Sequence, residues 1–185
     1  MSLQSKNVVK FNFNINKSIS AIGYVLSNLN GTTDFHKIFK IIYFADQKHL
    51  VDYARPITGD YFVAMEYGPV PSSISDYFKA IRHNDLTNNI FSEHFSVAER
   101  YHVSLKNKTD ESYLSKSDIE CLNESIAENK DLSFDELTKK SHDAAYSSCD
   151  ANNEIDFLEI AKVGGADEKI LNYITTISEN QSIQI

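Results

Sequence analysis

The chain has only two cysteines, no complete secretion signal and no long apolar run. Because Cys121 and Cys149 stand alone in separate segments, they form neither a disulfide framework nor a C-x-x-C motif. Free thiols in a reducing compartment are therefore expected. No stretch approaches the roughly 18 apolar residues that a membrane span needs, and residues 1–10 lack the apolar core of a signal peptide. These absences predict a cytoplasmic protein with no membrane partner.

Positive charge is also scarce, since 18 Lys and Arg stand against 26 Asp and Glu, a formal net charge of −8. A protein that binds nucleic acid by neutralising phosphates needs a basic face. The longest basic run here is the pair Lys139-Lys140. We therefore expect no direct nucleic-acid binding, and an acidic surface suits a soluble protein or one whose partner is basic.

The usual catalytic and metal-binding signatures are missing. Gly68 and the pair Gly164-Gly165 match neither nucleotide-binding fingerprint, and no H-E-x-x-H motif occurs. Ser141-His142-Asp143 contains the residue types of a hydrolase triad, but adjacent residues on a helix do not converge on one point. The sequence predicts no catalytic residue, no metal and no cofactor, and hence a protein that is not an enzyme.

Length and composition favour one globular domain. The chain has 185 residues and 42% hydrophobic residues, enough for a continuous core and too many for global disorder. The patterns predict a mainly α fold, a single-domain bundle of about six or seven helices with a small two- or three-stranded antiparallel sheet. We expect residues 1–13 to form an N-terminal arm with a short strand at Val8-Val9, residues 14–178 the domain, and residues 179–185 a frayed tail.

Residues 34–60 are the segment around which the chain is organised. Apolar residues recur there at the spacing of one helical face, namely Phe35, Ile38, Phe39, Ile42, Leu50 and Tyr53. Ile41, Phe44 and Ala45 widen this apolar zone, which predicts a helix surrounded by other elements. Thr32 or Thr33 is the expected N-cap, and Pro56 prevents the helix from running beyond Ala54.

Two polar residues share the apolar face of this helix. Asp46 and His49 lie one turn apart, so they could form an acid–base pair or two metal ligands. The alternative is structural: Asp46 accepts hydrogen bonds from the turn at residues 55–60 or has Arg55 as a candidate counter-charge, and His49 is a satisfied core histidine. We favour the structural interpretation, in which Asp46, His49, Arg55 and Asp60 form a polar clamp.

The other elements follow from caps and alternation. The first helix begins after Asn14 or Asn16, and capping boxes start three later helices. These boxes are Ser73 with Asp76, Ser117 with Glu120, and Ser133 with Glu136, the last opening a helix to about Ala145. Residues 61–67 alternate like a strand and are expected to pair with residues 101–105.

Four ordered blocks of the sequence resemble the Panacea, or SocA-like, antitoxin domain family. They are Lys40-Ile41-Ile42-Tyr43-Phe44-Ala45-Asp46, His49-Leu50, Arg55-Pro56-Ile57-Thr58-Gly59-Asp60-Tyr61-Phe62, and Tyr67-Gly68-Pro69-Val70-Pro71. The typical family pattern has a helix ending in such an aromatic-Ala-Asp…His-Leu run, then a Gly-Asp turn, then Tyr-Gly-Pro-Val. The resemblance extends to phage-associated members and is strongest over residues 15–82.

The resemblance implies a mainly helical antitoxin that neutralises a toxin encoded by an adjacent gene through direct protein–protein binding. As an alternative, it implies an adaptor that delivers the toxin to an ATP-dependent protease. A third and less favoured hypothesis is a hydrolase or metal-dependent enzyme centred on Asp46 and His49. No DNA-binding module is expected before residue 14. Exposed tyrosines make good interface anchors, so the candidate partner surface consists of Tyr67, Gly68, Pro69 and Tyr53.

Overall fold

The computed structural model describes residues 9–182. The helices in this range are α1 (Ile15–Ser27), α2 (Phe35–Tyr53), α3 (Ser72–Arg82), α4 (Phe91–His94), α5 (Lys116–Asn129), α6 (Phe134–Ser141), α7 (Phe157–Gly164) and α8 (Glu168–Ser182). The strands are β1 (Thr32–Asp34), β2 (Phe62–Met65), β3 (Gly68–Pro71), β4 (Phe95–Val97), β5 (His102–Leu105) and β6 (Glu154–Ile155). The mainly α fold with a minor antiparallel β part is confirmed.

Helix α2 is the centre of the domain, as its all-round apolar sequence predicts. A continuous run of its residues, from Ile38 to Asp46, is buried. The helix packs against α5 and α7 most extensively and also against α1, α6 and β3. It ends at Tyr53, and Ala54 adopts the left-handed conformation with φ 56° just before the proline-containing turn. The predicted limit at Ala54 is confirmed.

The strands form two three-stranded antiparallel sheets with the orders β1-β5-β4 and β3-β2-β6. Strand β2 pairs with β3 through a tight turn at Glu66-Tyr67 and with β6 on its other side. Strand β5 pairs with β1 and β4. The predicted pairing of residues 61–67 with residues 101–105 is therefore wrong, because each segment has two other partners.

Two of the predicted N-caps lie at other residues. The carboxylate of Asp34 caps α2 by accepting a hydrogen bond from Lys37 N at 2.9 Å, whereas Thr32 and Thr33 belong to β1. Helix α5 begins with a capping box of Ser115 and Asp118 instead of the one predicted two residues later. An oxygen-bearing side chain caps both α2 and α5, but several candidates lie close together in the sequence.

Two further caps agree with the prediction. Asn14 caps α1 by accepting a hydrogen bond from Lys17 N at 3.0 Å. The capping box of Ser133 and Glu136 opens α6, although this helix ends at Ser141, before the predicted Ala145.

The two chain ends described by the structure lie side by side. Lys10 donates its N–H to Ser178 Oγ at 2.9 Å, and Ser178 Oγ donates to Lys10 O at 2.7 Å. Val9 is buried, so the described part of the predicted arm packs on the domain. Val8 of the predicted short strand lies outside the described residues, as do residues 183–185 of the predicted tail, while α8 continues to Ser182. None of the described helices is long and apolar enough to span a membrane.

Candidate functional site

Asp46 projects from the buried face of α2 to the turn that follows the helix. Its side chain is fully buried, and Oδ1 accepts a hydrogen bond from Ile57 N at 2.6 Å. Burial raises the pKa of Asp46 to about 8, although the Ile57 N–H partly opposes the shift. The carboxyl group thus supplies a buried backbone donor of the turn with the acceptor that it needs.

His49 contacts the same turn from one helical turn further along α2. Its Nδ1 lies 2.7 Å from Arg55 O and must carry the proton, since a carbonyl oxygen can only accept. Its Nε2 lies 3.1 Å from both Ser117 Oγ and Asp118 Oδ1. The buried imidazole therefore links the turn to the beginning of α5.

Arg55 does not provide the predicted counter-charge of Asp46. Its Nη1 lies 3.9 Å from Oδ1 of Asp118, and its side chain is about one-third exposed. The carboxyl group that Arg55 approaches is therefore the one at the start of α5. The prediction for Arg55 was wrong about its partner.

Asp118 is the central anion of this region and was missed by the sequence analysis. It is fully buried, Lys17 Nζ lies 2.7 Å from its Oδ2, and Ser115 N donates to the same oxygen at 2.7 Å. Although burial opposes ionisation, the adjacent His49 ring, the Lys17 ammonium group and hydrogen bonds from Ser115 hold the pKa of Asp118 below its usual range. The spacing of Ser115 and Asp118 is that of a capping box, which was the available signal.

Asp60 caps a helix that begins twelve residues later. Its carboxylate accepts hydrogen bonds from Ser73 N at 3.0 Å and Ile74 N at 2.9 Å, the second and third amides of α3. The predicted capping box of Ser73 and Asp76 is therefore wrong, and exposed Asp76 instead pairs with Lys79 at 3.1 Å. A buried carboxylate from the turn replaces a local cap.

The three residues of the apparent triad have separate contacts. Ser141 Oγ donates to Thr138 O at 3.1 Å, and the His142 ring stacks on Tyr146 with centroids 4.2 Å apart. Asp143 accepts a hydrogen bond from Tyr43 Oη at 2.9 Å. No hydrogen bond joins the three side chains to one another within the described residues.

The predicted partner residues 67–69 form the tip of the β2–β3 hairpin. Tyr67 is exposed, whereas Gly68 and Pro69 are buried. Gly68 has φ 96°, and a Cβ there would lie 2.9 Å from Lys40 Nζ. Lys40 donates from Nζ to Pro69 O at 2.8 Å, so a buried lysine of α2 fixes the tip from below.

Burial lowers the pKa of Lys40 to about 7, since its ammonium group has lost most of its water. His36, one turn earlier on α2, lies with Nε2 3.3 Å from Tyr67 O and 3.0 Å from Thr138 Oγ1. Burial and then the charge of Lys40 lower the pKa of His36 to about 4. The N-terminal half of α2 thus holds the hairpin tip with two polar side chains.

The structure does not bring Tyr53 together with the hairpin tip. Tyr53 lies at the C-terminal end of α2, where its hydroxyl group donates to Glu120 at 3.1 Å and its ring packs on His49. His36, below Tyr67, lies 17 positions earlier on α2, which corresponds to about 25 Å along the helix. The two tyrosines belong to opposite ends of the domain.

A groove of about 860 Å³ opens beside the hairpin tip. Residues of α3, of the beginning of α2 and of the hairpin line it, and we call the α3 side its wall and the α2 side its floor. Four large side chains on its rim are 39–51% exposed, namely Met65, Tyr67, Tyr101 and Phe134. We refer to this feature as the hairpin groove.

Phe134 and Tyr101 were missed as parts of this surface. Phe134 stacks on His36 with ring centroids 3.9 Å apart and meets the edge of Tyr67 at 5.3 Å. Tyr101 packs against Phe35 at 5.5 Å. An apolar residue at the first position of a polar helix was the one sequence signal for Phe134. Tyr101 had none, since its place depends on a bend between two short strands.

Within residues 9–182 no group of three His, Cys, Asp or Glu residues could hold a metal ion. The fold and these sites define a mainly helical domain whose buried polar side chains hold a turn and a hairpin, and whose exposed aromatic residues surround a groove. The chain belongs to the family described as antitoxin SocA-like, Panacea domain, whose model matches residues 38–146, more than half of the chain.

The matched region extends from the first turn of α2 to Tyr146 and so includes the polar clamp and the hairpin. Membership in this family supports an antitoxin role and a toxin as partner in general terms. Neither a search of curated proteins nor a search of solved structures returned a match.

Proposed function

We propose that this protein neutralises a cognate protein toxin by binding it directly through the rim of the hairpin groove. The observation that carries the proposal is that Met65, Tyr67 and Phe134, three large exposed side chains, line the same groove, with the rings of Tyr67 and Phe134 5.3 Å apart. Contiguous exposed apolar surface rimmed by polar residues is typical of interaction sites. Aromatic residues in particular contribute much of the binding free energy at interfaces.

The support beneath this surface favours binding by a preformed site. Lys40 and His36 hold the backbone of the tip, and Gly68 is packed too tightly to accept a side chain. A surface that is already ordered loses less conformational entropy on binding. Rigid presentation of Tyr67 is therefore consistent with a binding role.

The test is co-expression with the product of the adjacent gene, followed by co-purification. We expect cells to survive only with both proteins and the toxin to elute in a stable complex. The double substitution of Tyr67→Ala and Phe134→Ala should abolish rescue and weaken binding by at least tenfold, since each aromatic anchor contributes about 1–2 kcal/mol or more. Tyr173→Ala, which removes an exposed tyrosine of α8 outside the groove, is the matched control.

Tyr53→Ala separates the two candidate surfaces. Loss of rescue with Tyr53→Ala and not with the groove variants would place the interface at the other end of α2 and contradict the proposal. Direct neutralisation also predicts that, when both proteins are expressed, the half-life of the toxin is the same in cells with and without their ATP-dependent proteases. A toxin that disappears only when both the antitoxin and a protease are present would favour the adaptor mechanism.

A further inference from the structure

The hairpin groove differs in charge from the rest of the chain. The full chain carries a net charge of −8, yet the exposed face of α3 that lines the groove presents Lys79 and Arg82, followed directly by His83. The two acidic residues of the lining are already engaged: Asp34 caps α2, and Asp76 pairs with Lys79. The local excess of positive charge therefore falls on Arg82.

Arg82 is held at the groove with its charge unpaired. Its guanidinium carbon lies 4.1 Å above the ring of Tyr101, and no carboxylate of the described chain lies within salt-bridge distance. Tyr101 itself has φ 64°, a rare conformation for a bulky residue that is typically retained where the surrounding structure requires it. The stacked pair thus presents a cation in the lining of a mainly apolar groove.

The neighbouring sheet edge cannot take up another strand. Strand β3 is an edge strand, and two of its four residues, Pro69 and Pro71, have no N–H. The carbonyl group of Pro69 already accepts from Lys40. Prolines at such an edge prevent pairing with a further chain, so the occupant must be recognised by its side chains.

The length of the α3 wall matches that of a short helix. The groove-lining residues of α3, including Ser72, Ser75, Asp76, Lys79 and Arg82, follow the helical period along its 11 residues, a wall of about 16 Å. A wall of this length corresponds to about three turns of a bound helix. Amphipathic helices bind such grooves through apolar residues at i, i+3, i+4 and i+7.

We propose that the hairpin groove binds an amphipathic helix of the toxin whose apolar face contacts Tyr67, Phe134 and the groove floor and whose acidic side chain pairs with Arg82. This inference rests on the proposed function and specifies the partner element for that site. In this inference the toxin surface at the groove is acidic. The overall negative charge of the chain would instead favour a basic partner.

The first experiment compares binding of the intact toxin to the parent protein, Arg82→Glu and Lys116→Glu. Both substitutions change the net charge equally, and both side chains are exposed, but Lys116 lies on α5 away from the groove. We expect Arg82→Glu to weaken binding about fivefold to tenfold, most strongly at low salt, and Lys116→Glu to have little effect. A toxin that still binds all three proteins equally would overturn the inference and leave the proposed function intact.

The second experiment uses overlapping synthetic 20-residue peptides that cover the toxin. One peptide should bind the parent protein, gain helical circular dichroism on binding, and lose binding when its central residue is replaced by proline. Substitution of one acidic residue in that peptide by lysine should weaken binding to the parent and restore binding to Arg82→Glu. A peptide that binds without becoming helical, or a groove closed by a second copy of this chain, would contradict the inference.

Discussion

Asp46 and His49 show how a carboxyl group and an imidazole in a core can satisfy the backbone of a turn. Each is directed at a backbone group of the turn that follows α2, Asp46 at Ile57 N and His49 at Arg55 O. A buried peptide group without a partner is unfavourable by about 1–3 kcal/mol. These two side chains therefore let the chain reverse inside the domain, where water cannot satisfy the turn.

Replacement of Asp46 by alanine should lower the free energy of unfolding by about 1–3 kcal/mol, because Ile57 N loses its acceptor in a buried position. Chemical denaturation at neutral pH measures this change. Asp52→Ala is the matched control, since Asp52 is an exposed carboxylate on the same helix. Equal stability of the two variants would show that the contact with Ile57 contributes nothing.

At the scale of the element, helix α3 is capped by a side chain from a distant turn. The carboxylate of Asp60 accepts hydrogen bonds from the second and third amides of α3, and Pro71 at its N-cap position offers no side-chain hydrogen bond. The carboxylate also lies near the positive end of the helix dipole. Because α3 is one wall of the hairpin groove, the turn and the groove are mechanically connected.

Asp60→Ala should therefore release the beginning of α3. We expect faster hydrogen exchange at the amides of Ser73 and Ile74, since both lose their acceptor, together with reduced stability. Ser133→Ala removes the local cap of α6 and serves as the comparison, because its effect should remain within that helix. Unchanged exchange at α3 in Asp60→Ala would contradict the capping role.

The β2–β3 hairpin depends on a residue without a side chain at its tip. Gly68→Ala should be more destabilising than Gly31→Ala, although both glycines have left-handed φ, of 96° and 82°. Only at Gly68 would the new Cβ meet neighbours, namely Ser141 and Lys40. The strain at either position is about 1–2 kcal/mol, and displacement of the tip adds to it at Gly68.

Unfolding free energies of both variants measure this difference, and toxin binding provides the second measurement. Gly31→Ala should bind like the parent, whereas Gly68→Ala should bind more weakly because Tyr67 moves with the tip. Identical behaviour of the two variants would show that the packing beneath the hairpin is not restrictive.

Several elements were predictable from the sequence because their determinants are local. The central helix follows from the spacing of its apolar residues, and Asn14 and Ser133 could be identified as caps three residues from their partners. The Asp60 cap of α3 and the Arg55 contact with Asp118 could not, because the partners are 13 and 63 positions apart and carry no spacing signal. Long-range polar contacts are determined by packing and not by local pattern.

At the scale of the whole molecule, the pairing of the strands could not be predicted for the same reason. Strand β1 pairs with β5 about 70 residues later, and β2 with β6 about 90 residues later. Strand propensity identified residues 61–67 and 101–105 but gave no information on which edge each would meet. The hairpin groove was unpredictable in turn, because it is enclosed by α2, α3, the hairpin and Tyr101, which come together only in the complete fold.

The stability of the whole molecule should depend on pH through two buried groups with opposite effects. The pKa of Asp46 rises from 3.8 to about 8 on folding, so the folded state keeps a proton that the unfolded chain releases. Its contribution is complete below about pH 4 and is lost as the pH rises through 8. The pKa of Lys40 falls from 10.5 to about 7, so its burial becomes less unfavourable as the pH rises from 7 to 10.5.

Urea denaturation of the parent, Asp46→Asn and Lys40→Met between pH 5 and pH 10 separates these effects. Asp46→Asn should gain stability relative to the parent as the pH rises from 5 to 8, because the amide has no proton to release on unfolding. The charges of Asp60, Lys17 and Asp118 also influence the pKa of Asp46 in the parent. Lys40→Met should lose stability relative to the parent between pH 7 and pH 10, because only the parent sheds a buried charge there. Three parallel curves would show that neither group changes its proton affinity on folding. The contacts that hold the turn and the hairpin tip would then not depend on the ionisation of Asp46 or Lys40.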